Sequence, residues 1–299
     1  MKKLVIILLM LLSGTSFSQK IIRGNAVGIS ILGLNVDFSS KYTKAEITHI
    51  NGEKEIGYIY GFIQNKALSL NMTNPFSSSY SDALNLSDKS FSFKKELNQK
   101  AENLNSEEIN EVRILNDSIT GNHYKLMDLA TVKSDGTIKD LKKKAWLPFY
   151  NKNSINIFSY DVYEEITDSR GNGTGNFEKA ATMVYLNNPK NNFAINVMDY
   201  GITDIFSKSK LLNKWTGGLL EVFKDCPQFI KANTNEKKTW NFESKYFDTD
   251  ELEKTKTKEI KSDKSLKKNE INIKLNNLDS EIQITPYLRM IEDFKTICK

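Results

Sequence analysis

Histidine is the side chain that most readily carries protons near neutral pH, and this chain holds two, His49 and His123. Any Ser-His-Asp or Cys-His machinery must use one of them. Both fall in or beside segments that read as strands, and neither has a nucleophile motif beside it. No G-x-S-x-G occurs, and neither cysteine stands in a catalytic context. Ser92-Phe93-Lys94-Lys95 and Ser207-Lys208-Ser209-Lys210 match S-x-x-K, but the companion K-T-G and S-D-N elements are absent. Gly171-Asn172-Gly173-Thr174-Gly175 has the small residues of a phosphate-cradling loop without its Gly-Lys-Ser/Thr or its G-x-G-x-x-G spacing. Asp168 to Lys179 matches a calcium loop at Asp168, Asn172 and Gly173, yet Arg170 stands at a ligand position and Lys179 where a carboxylate belongs. With no C-x-x-C and no H-E-x-x-H, zinc is poorly supplied. Glu107/Glu108 and Glu164/Glu165 are adjacent acids, and neighbours on a strand point to opposite faces, so a glycosidase pair would have to be assembled from distant positions. No cofactor and no metal site are expected, and no catalytic residue is assigned.

Aromatic residues offer the best functional option. Trp146, Phe149, Tyr150, Phe158, Tyr160 and Tyr163 form the densest aromatic stretch. They read first as a sheet core and second as a platform for carbohydrate or peptide, with Tyr150, Phe158, Tyr160 and Tyr163 as the ligand-binding candidates. Tyr58 and Tyr60 carry the same double reading.

The elements that must position these groups are mainly strands. From Ala45 to Ile63 the sequence reads as a hairpin: Ile56, Tyr58, Tyr60 and Phe62 alternate with Gly57, Ile59, Gly61 and Ile63, and Asn51-Gly52 suits a tight primed turn. Gly57 and Gly61 leave one face low, so that a ring or a backbone can lie against it. Further strands are expected at Lys66–Met72, Ser90–Lys94, Val112–Leu115, His123–Val132, Ile155–Val162, Thr182–Leu186 and Phe193–Met198. Ser106 is expected to cap a helical turn at Glu107-Glu108-Ile109, and polar turns fall at Asn116–Asn122 and Asp135-Gly136. From Thr203 the apolar spacing becomes helical, with Gly217-Gly218 separating two helices and Pro227 opening a new turn. Thr234 to Asn269 is polar and lysine-rich, a linker, a disordered arm or a solvated helix. Ile271, Ile273, Leu275, Ile282 and Ile284 alternate like a late hairpin, and Thr285-Pro286 reads as the start of a terminal helix.

Composition sets the class. Hydrophobic content of 39% supports a core plus segments that do not pack. Lysine and arginine number 42 against 37 acids, but only Arg23, Arg113, Arg170 and Arg289 carry the planar fork suited to phosphate, so nucleic acid is not an expected partner. Lys2 and Lys3, the apolar run Leu4–Leu12 and the small residues Ser16 and Ser18 before Gln19 have the three parts of a secretory signal. Nine apolar residues are too few to span a bilayer, and no later run is long enough, so no transmembrane segment is expected after cleavage. In an oxidising compartment Cys226 and Cys298 either pair or remain buried thiols.

The sequence G-Y-I (Gly57–Ile59) after an Asn-Gly turn, then S-E-E-I (Ser106–Ile109), N-I-F-S-Y-D (Asn156–Asp161) and K-D-C-P (Lys224–Pro227), resembles a loose group of uncharacterised exported β-rich proteins of Bacteroidota. The resemblance covers roughly residues 45–232, implies compartment and layout, and implies no activity. The expected fold is α+β and β-rich, a twisted antiparallel sheet system followed by C-terminal helices. The expected organisation is a signal peptide at 1–18, a β-rich domain at 19–233, a charged linker or disordered arm at 234–270, and a short hairpin and terminal helix at 271–299. The expected function is that of an exported, non-catalytic cell-envelope protein, periplasmic or extracellular, binding a protein or glycan of the envelope. The alternatives are a secreted hydrolase acting on polysaccharide or peptide, and an assembly or stress factor whose lysine-rich segment Asp250–Asn269 touches anionic envelope surfaces.

Overall fold

The computed structural model describes residues 30–31, 34–35, 42–60, 62, 90–115, 123–167, 173–197, 207–242 and 244–298; between 160 and 181 it describes the backbone and the Lys179 side chain alone. The expected signal segment, the strand expected at Lys66–Met72 and the turn expected at Asn116–Asn122 lie outside the described residues. The fold is α+β and β-rich. A small pair, β1 (Ser30–Ile31) and β2 (Leu34–Asn35), precedes a ten-stranded sheet. Its strands are β3 (Thr43–His49), β4 (Lys54–Tyr60), β5 (Ser90–Lys94), β6 (Glu102–Asn105), β7 (Ile109–Ile114), β8 (His123–Val132), β9 (Ile138–Asn151), β10 (Asn156–Thr167), β11 (Gly173–Asn187) and β12 (Phe193–Asn196). Among the described residues four α-helices follow: α1 (Lys208–Val222), α2 (Pro227–Asn233), α3 (Asp250–Ser262) and α4 (Lys268–Ile297).

The spatial order is β6-β5-β4-β3-β7-β8-β9-β10-β11-β12, and β12 returns to pair in parallel with β8 from Phe193↔Asp128 to Ile195↔Ala130. Strands β8 to β12 therefore close a ring, which removes their free edges. Met127, Leu129, Ala145, Leu147, Phe149, Phe158, Met183, Tyr185 and Ala194 form one buried cluster from these five strands. Alternate positions, among them Ala130, Val132, Ile157, Val184 and Leu186, pack against Leu219, Phe223, Phe229, Trp240, Met290 and Phe294 of the helical layer. In the first half of the sheet Ala45, Ile47, Ile59, Phe91, Phe93, Val112 and Tyr124 form a third cluster, with Phe62 edge-on to Trp146 at 5.0 Å.

Four local expectations change in the folded chain. The hairpin turn spans three residues: the Gly52 N–H donates to His49 O (2.9 Å), the His49 N–H to Glu53 O (2.8 Å), and Gly52 alone takes a positive φ, +86°. That is a type I turn closed by a glycine bulge, with the Glu53 N–H held by Asn51 Oδ1 at 2.9 Å. At the next turn Asn105, not Ser106, caps the helical turn, its Oδ1 accepting from the Glu107 N–H at 3.0 Å. Gly217 and Gly218 lie inside α1 and do not separate two helices; a Cβ on Gly217 would overlap the Gly136 carbonyl, and one on Gly218 would sit 3.3 Å from Val132 and Val197. The pair exists so that the helix can approach the β8–β9 turn closely. Residues 271–284 form no hairpin and Pro286 starts no helix: α4 runs unbroken from Lys268, where the Glu270 carboxylate accepts the Lys267 N–H at 2.6 Å. Ile284, Tyr287, Met290, Ile291 and Phe294 give it a continuous buried stripe, and that tertiary burial outweighs the missing N–H of Pro286.

The 234–270 segment is neither a bare linker nor a disordered arm. Trp240, Phe242 and Tyr246 enter the helical core, and Arg289 Nη1 donates to the carbonyls of Lys245, Tyr246 and Asp248 at 3.1, 3.2 and 2.7 Å. Its second half is the solvated helix α3, which buries no residue and places Asp250, Glu251 and Glu253 in its first turn, where the helix dipole favours acids. Cys226 and Cys298 are joined as a disulfide across 72 residues, tying the end of α4 to the α1–α2 junction. Among the described residues no helix is long and apolar enough to cross a membrane.

Candidate functional site

Alternation in β3 to β5 sends Ala45, Ile47, Gly57, Ile59, Phe91 and Phe93 inward. Gly57 is required there: a Cβ would stand 2.5 Å from Lys94 O and from the Phe93 ring, which lies directly over it. The same alternation turns Lys44, Glu46, Ile56, Tyr58, Tyr60, Ser92 and Lys94 to the other face. Registers fix their order. One row runs Lys44–Tyr58–Lys94, the next Arg113–Glu46–Ile56, the next Lys125–Glu111–Thr48–Lys54, and beyond the first lies Tyr60–Ser92–Asn103.

This outer face is aromatic at one end and charged at the other. Ile56 and Tyr60 are 52% and 43% exposed, unusual for large apolar side chains on a central strand. Tyr42 packs on Tyr60 with ring centroids 5.5 Å apart, and Lys94 Nζ sits 4.5 Å above the Tyr42 ring. At the charged end Glu111 accepts from His123 Nε2 at 2.7 Å and from Lys152 Nζ at 3.0 Å, while the His123 ring lies 4.7 Å from Phe149. Burial pushes the Glu111 carboxyl upward and is the largest single influence; the hydrogen bonds and charges of His123 and Lys152 together outweigh it and hold the group at about 2. Glu46 is taken by Lys54 Nζ at 3.1 Å. Among the described residues Lys44, Arg113 and Lys125 have no ion pair.

The residues singled out for catalysis are spread apart. His49 approaches Glu55 at 3.9 Å at the base of the hairpin turn, remote in sequence and register from His123. Ser92 and Asn103 meet side chain to side chain at 3.4 Å, and Ser207 flanks α1 beside Ser209. Gly173 opens β11, while Asp168 and residues 171–172 of the glycine loop lie outside the described residues. Among the described residues no group of three or more His, Cys, Asp or Glu is arranged to hold a metal ion.

The four aromatic candidates separate. Phe158 is fully buried against Phe149 (4.7 Å) and belongs to the core of the ring, so it is no ligand platform. Tyr160 and Tyr163 have backbones paired with Met183 and Lys179, and their side chains lie outside the described set. Tyr150 is half-buried and lines a shallow cleft of about 330 Å³ with Lys256, Ile260, Lys274, Leu278 and Glu281. Burial, with the charge of Glu281, raises its phenol above the ordinary value. Lys256 and Glu281 pair across the cleft, joining α3 to α4.

Tyr42, Lys44, Lys94 and Arg113 escape sequence reading as site residues. The hairpin register alone would have set Lys44 beside Tyr58, but Arg113 reaches this face only through the β3–β7 pairing, which joins segments more than sixty residues apart. Compared with protein-family models, curated proteins and solved structures, the chain matches none.

Proposed function

We propose that this chain is an exported, non-catalytic cell-envelope protein that binds an envelope partner through the outer face of β3 to β7. The carrying observation is the solvent-facing set of exposed Ile56 and Tyr60 beside half-buried Tyr42 and Tyr58, held rigid by strands whose opposite face is fully packed. A binding constellation on strands is more precisely held than one on loops, and amphipathic rings give contact area at low conformational-entropy cost. Export is supported by the Met1–Gln19 segment and by the Cys226–Cys298 bridge, a bond that persists in oxidising compartments.

The test is co-sedimentation of the purified mature protein with isolated, protein-stripped cell-envelope polymer. The wild type is expected in the pellet, and Tyr58→Ala/Tyr60→Ala is expected to stay in the supernatant with an unchanged thermal midpoint. Equal sedimentation of both proteins would place binding elsewhere and refute the assignment of this face.

A further inference from the structure

We infer that the outer face of β3 to β7 takes an acidic polysaccharide, a chain of sugar rings bearing carboxylates. The inference rests on the preceding assignment of that face as the binding surface and adds the chemistry of its ligand. Lys44, Lys54, Lys94, Arg113, Lys125 and Lys152 bring six cations to the face, against Glu46 and Glu111. Both carboxylates are already engaged within the protein, Glu46 by Lys54 and Glu111 by His123 and Lys152. The field left over for a ligand is positive.

Cations alone would fit any polyanion; their interleaving with rings narrows the class. Tyr58 stands in register between Lys44 and Lys94, one strand away on either side, which is about 5 Å each way. A sugar ring laid on Tyr58 presents its C–H face to the phenol and its carboxylate to one of the two ammonium groups. Tyr60 and Tyr42 continue the aromatic surface, and the Ser92–Asn103 pair offers a hydroxyl and an amide to sugar hydroxyls. In the other direction Arg113 and Lys125 extend the cationic track for a following unit. Single-stranded nucleic acid also combines stacking with charge, but the Ser92 hydroxyl and Asn103 amide beside the rings suit a polyhydroxylated sugar, and oligothymidylate separates the two. A neutral glycan would leave the cations unused.

The experiment is isothermal titration of the mature protein, disulfide intact, with four probes: polygalacturonate oligomers, neutral dextran oligomers, poly-glutamate and oligothymidylate. Polygalacturonate is expected to bind, and to weaken as salt rises from 50 to 300 mM, because the contact is ionic. Tyr58→Ala and Lys44→Gln/Arg113→Gln are each expected to weaken it about tenfold or more, while Tyr58→Phe retains binding and shows that the loss is not misfolding. Dextran binding as tight as polygalacturonate and untouched by the Lys44/Arg113 variant would overturn the acidic class while leaving the face as the site. Tighter binding of poly-glutamate or oligothymidylate would overturn the sugar class. Polygalacturonate binding that ignores Tyr58→Ala would overturn the face itself, and with it the preceding assignment; absence of polygalacturonate binding would overturn the acidic-polysaccharide inference alone.

Discussion

Removing the Cys226–Cys298 bridge should weaken the whole helical layer. Cys226 caps α2, Cys298 ends α4, and between them Phe223, Phe229 and Phe294 pack with centroid separations of 4.9 to 5.5 Å. In the chain-entropy model, closing a loop of 72 residues stabilises the fold by about 4 kcal/mol at 25 °C, because the open unfolded chain gains the freedom the bridge denies it. With a urea m-value of roughly 3 kcal/mol/M for a chain of this size, the midpoint of Cys226→Ser/Cys298→Ser should fall by about 1.3 M. The assay is equilibrium urea unfolding followed by tryptophan fluorescence, since Trp215 and Trp240 both sit in or against this layer. Hydrogen exchange should show the last turn of α4 losing protection first, because only side-chain packing then holds it. Identical midpoints for the bridged and double-serine proteins, with equal slopes, would refute the reasoning and leave the aromatic packing as the whole of the tether.

Three further expectations follow from named contacts. Glu111 has its carboxyl held at about 2, below its ordinary value, so its contribution is present above pH 4.5 and is lost as pH falls toward 2. Relative to wild type, Glu111→Gln should remove on the order of 1–2 kcal/mol at pH 7, discounted for solvent screening, and the gap should narrow from about pH 4.5 and close only as pH reaches about 2 in acid-titration unfolding curves. Gly57→Ala should cost about 2 kcal/mol or more in urea unfolding, since the new methyl group meets both the Lys94 carbonyl and the Phe93 ring; a neutral result would mean that β5 shifts freely. Lys179, with its side chain only 7% exposed, donates to Asn276 O, Asp279 Oδ2 and Ser280 Oγ at 3.1, 2.7 and 2.7 Å. Lys179→Met should cost about 1–3 kcal/mol, less than breaking a fully buried pair because Asp279 remains hydrated, and differential scanning calorimetry measures the change.

What was legible in the chain itself was the local periodicity. Alternation located β3, β4, β5, β8, β10 and the β11–β12 hairpin, because a half-buried strand must place apolar groups two residues apart whatever it pairs with. Pro227 at the start of α2 likewise follows from backbone chemistry that needs no tertiary partner. Tertiary structure decided the rest. Alternating isoleucines in 271–284 and a glycine pair at 217–218 are ambiguous locally, and the former became helix because they continue into a thirty-residue helix whose positions from Leu278 to Phe294 bury a stripe against β11 and α2. Closure of the ring by β12 on β8, and the meeting of Arg113 and Lys125 with the tyrosine hairpin on one face, depend on pairings between distant segments. A strand's side chains are divided between two faces by its own geometry, but which neighbours share each face is set only when the sheet forms.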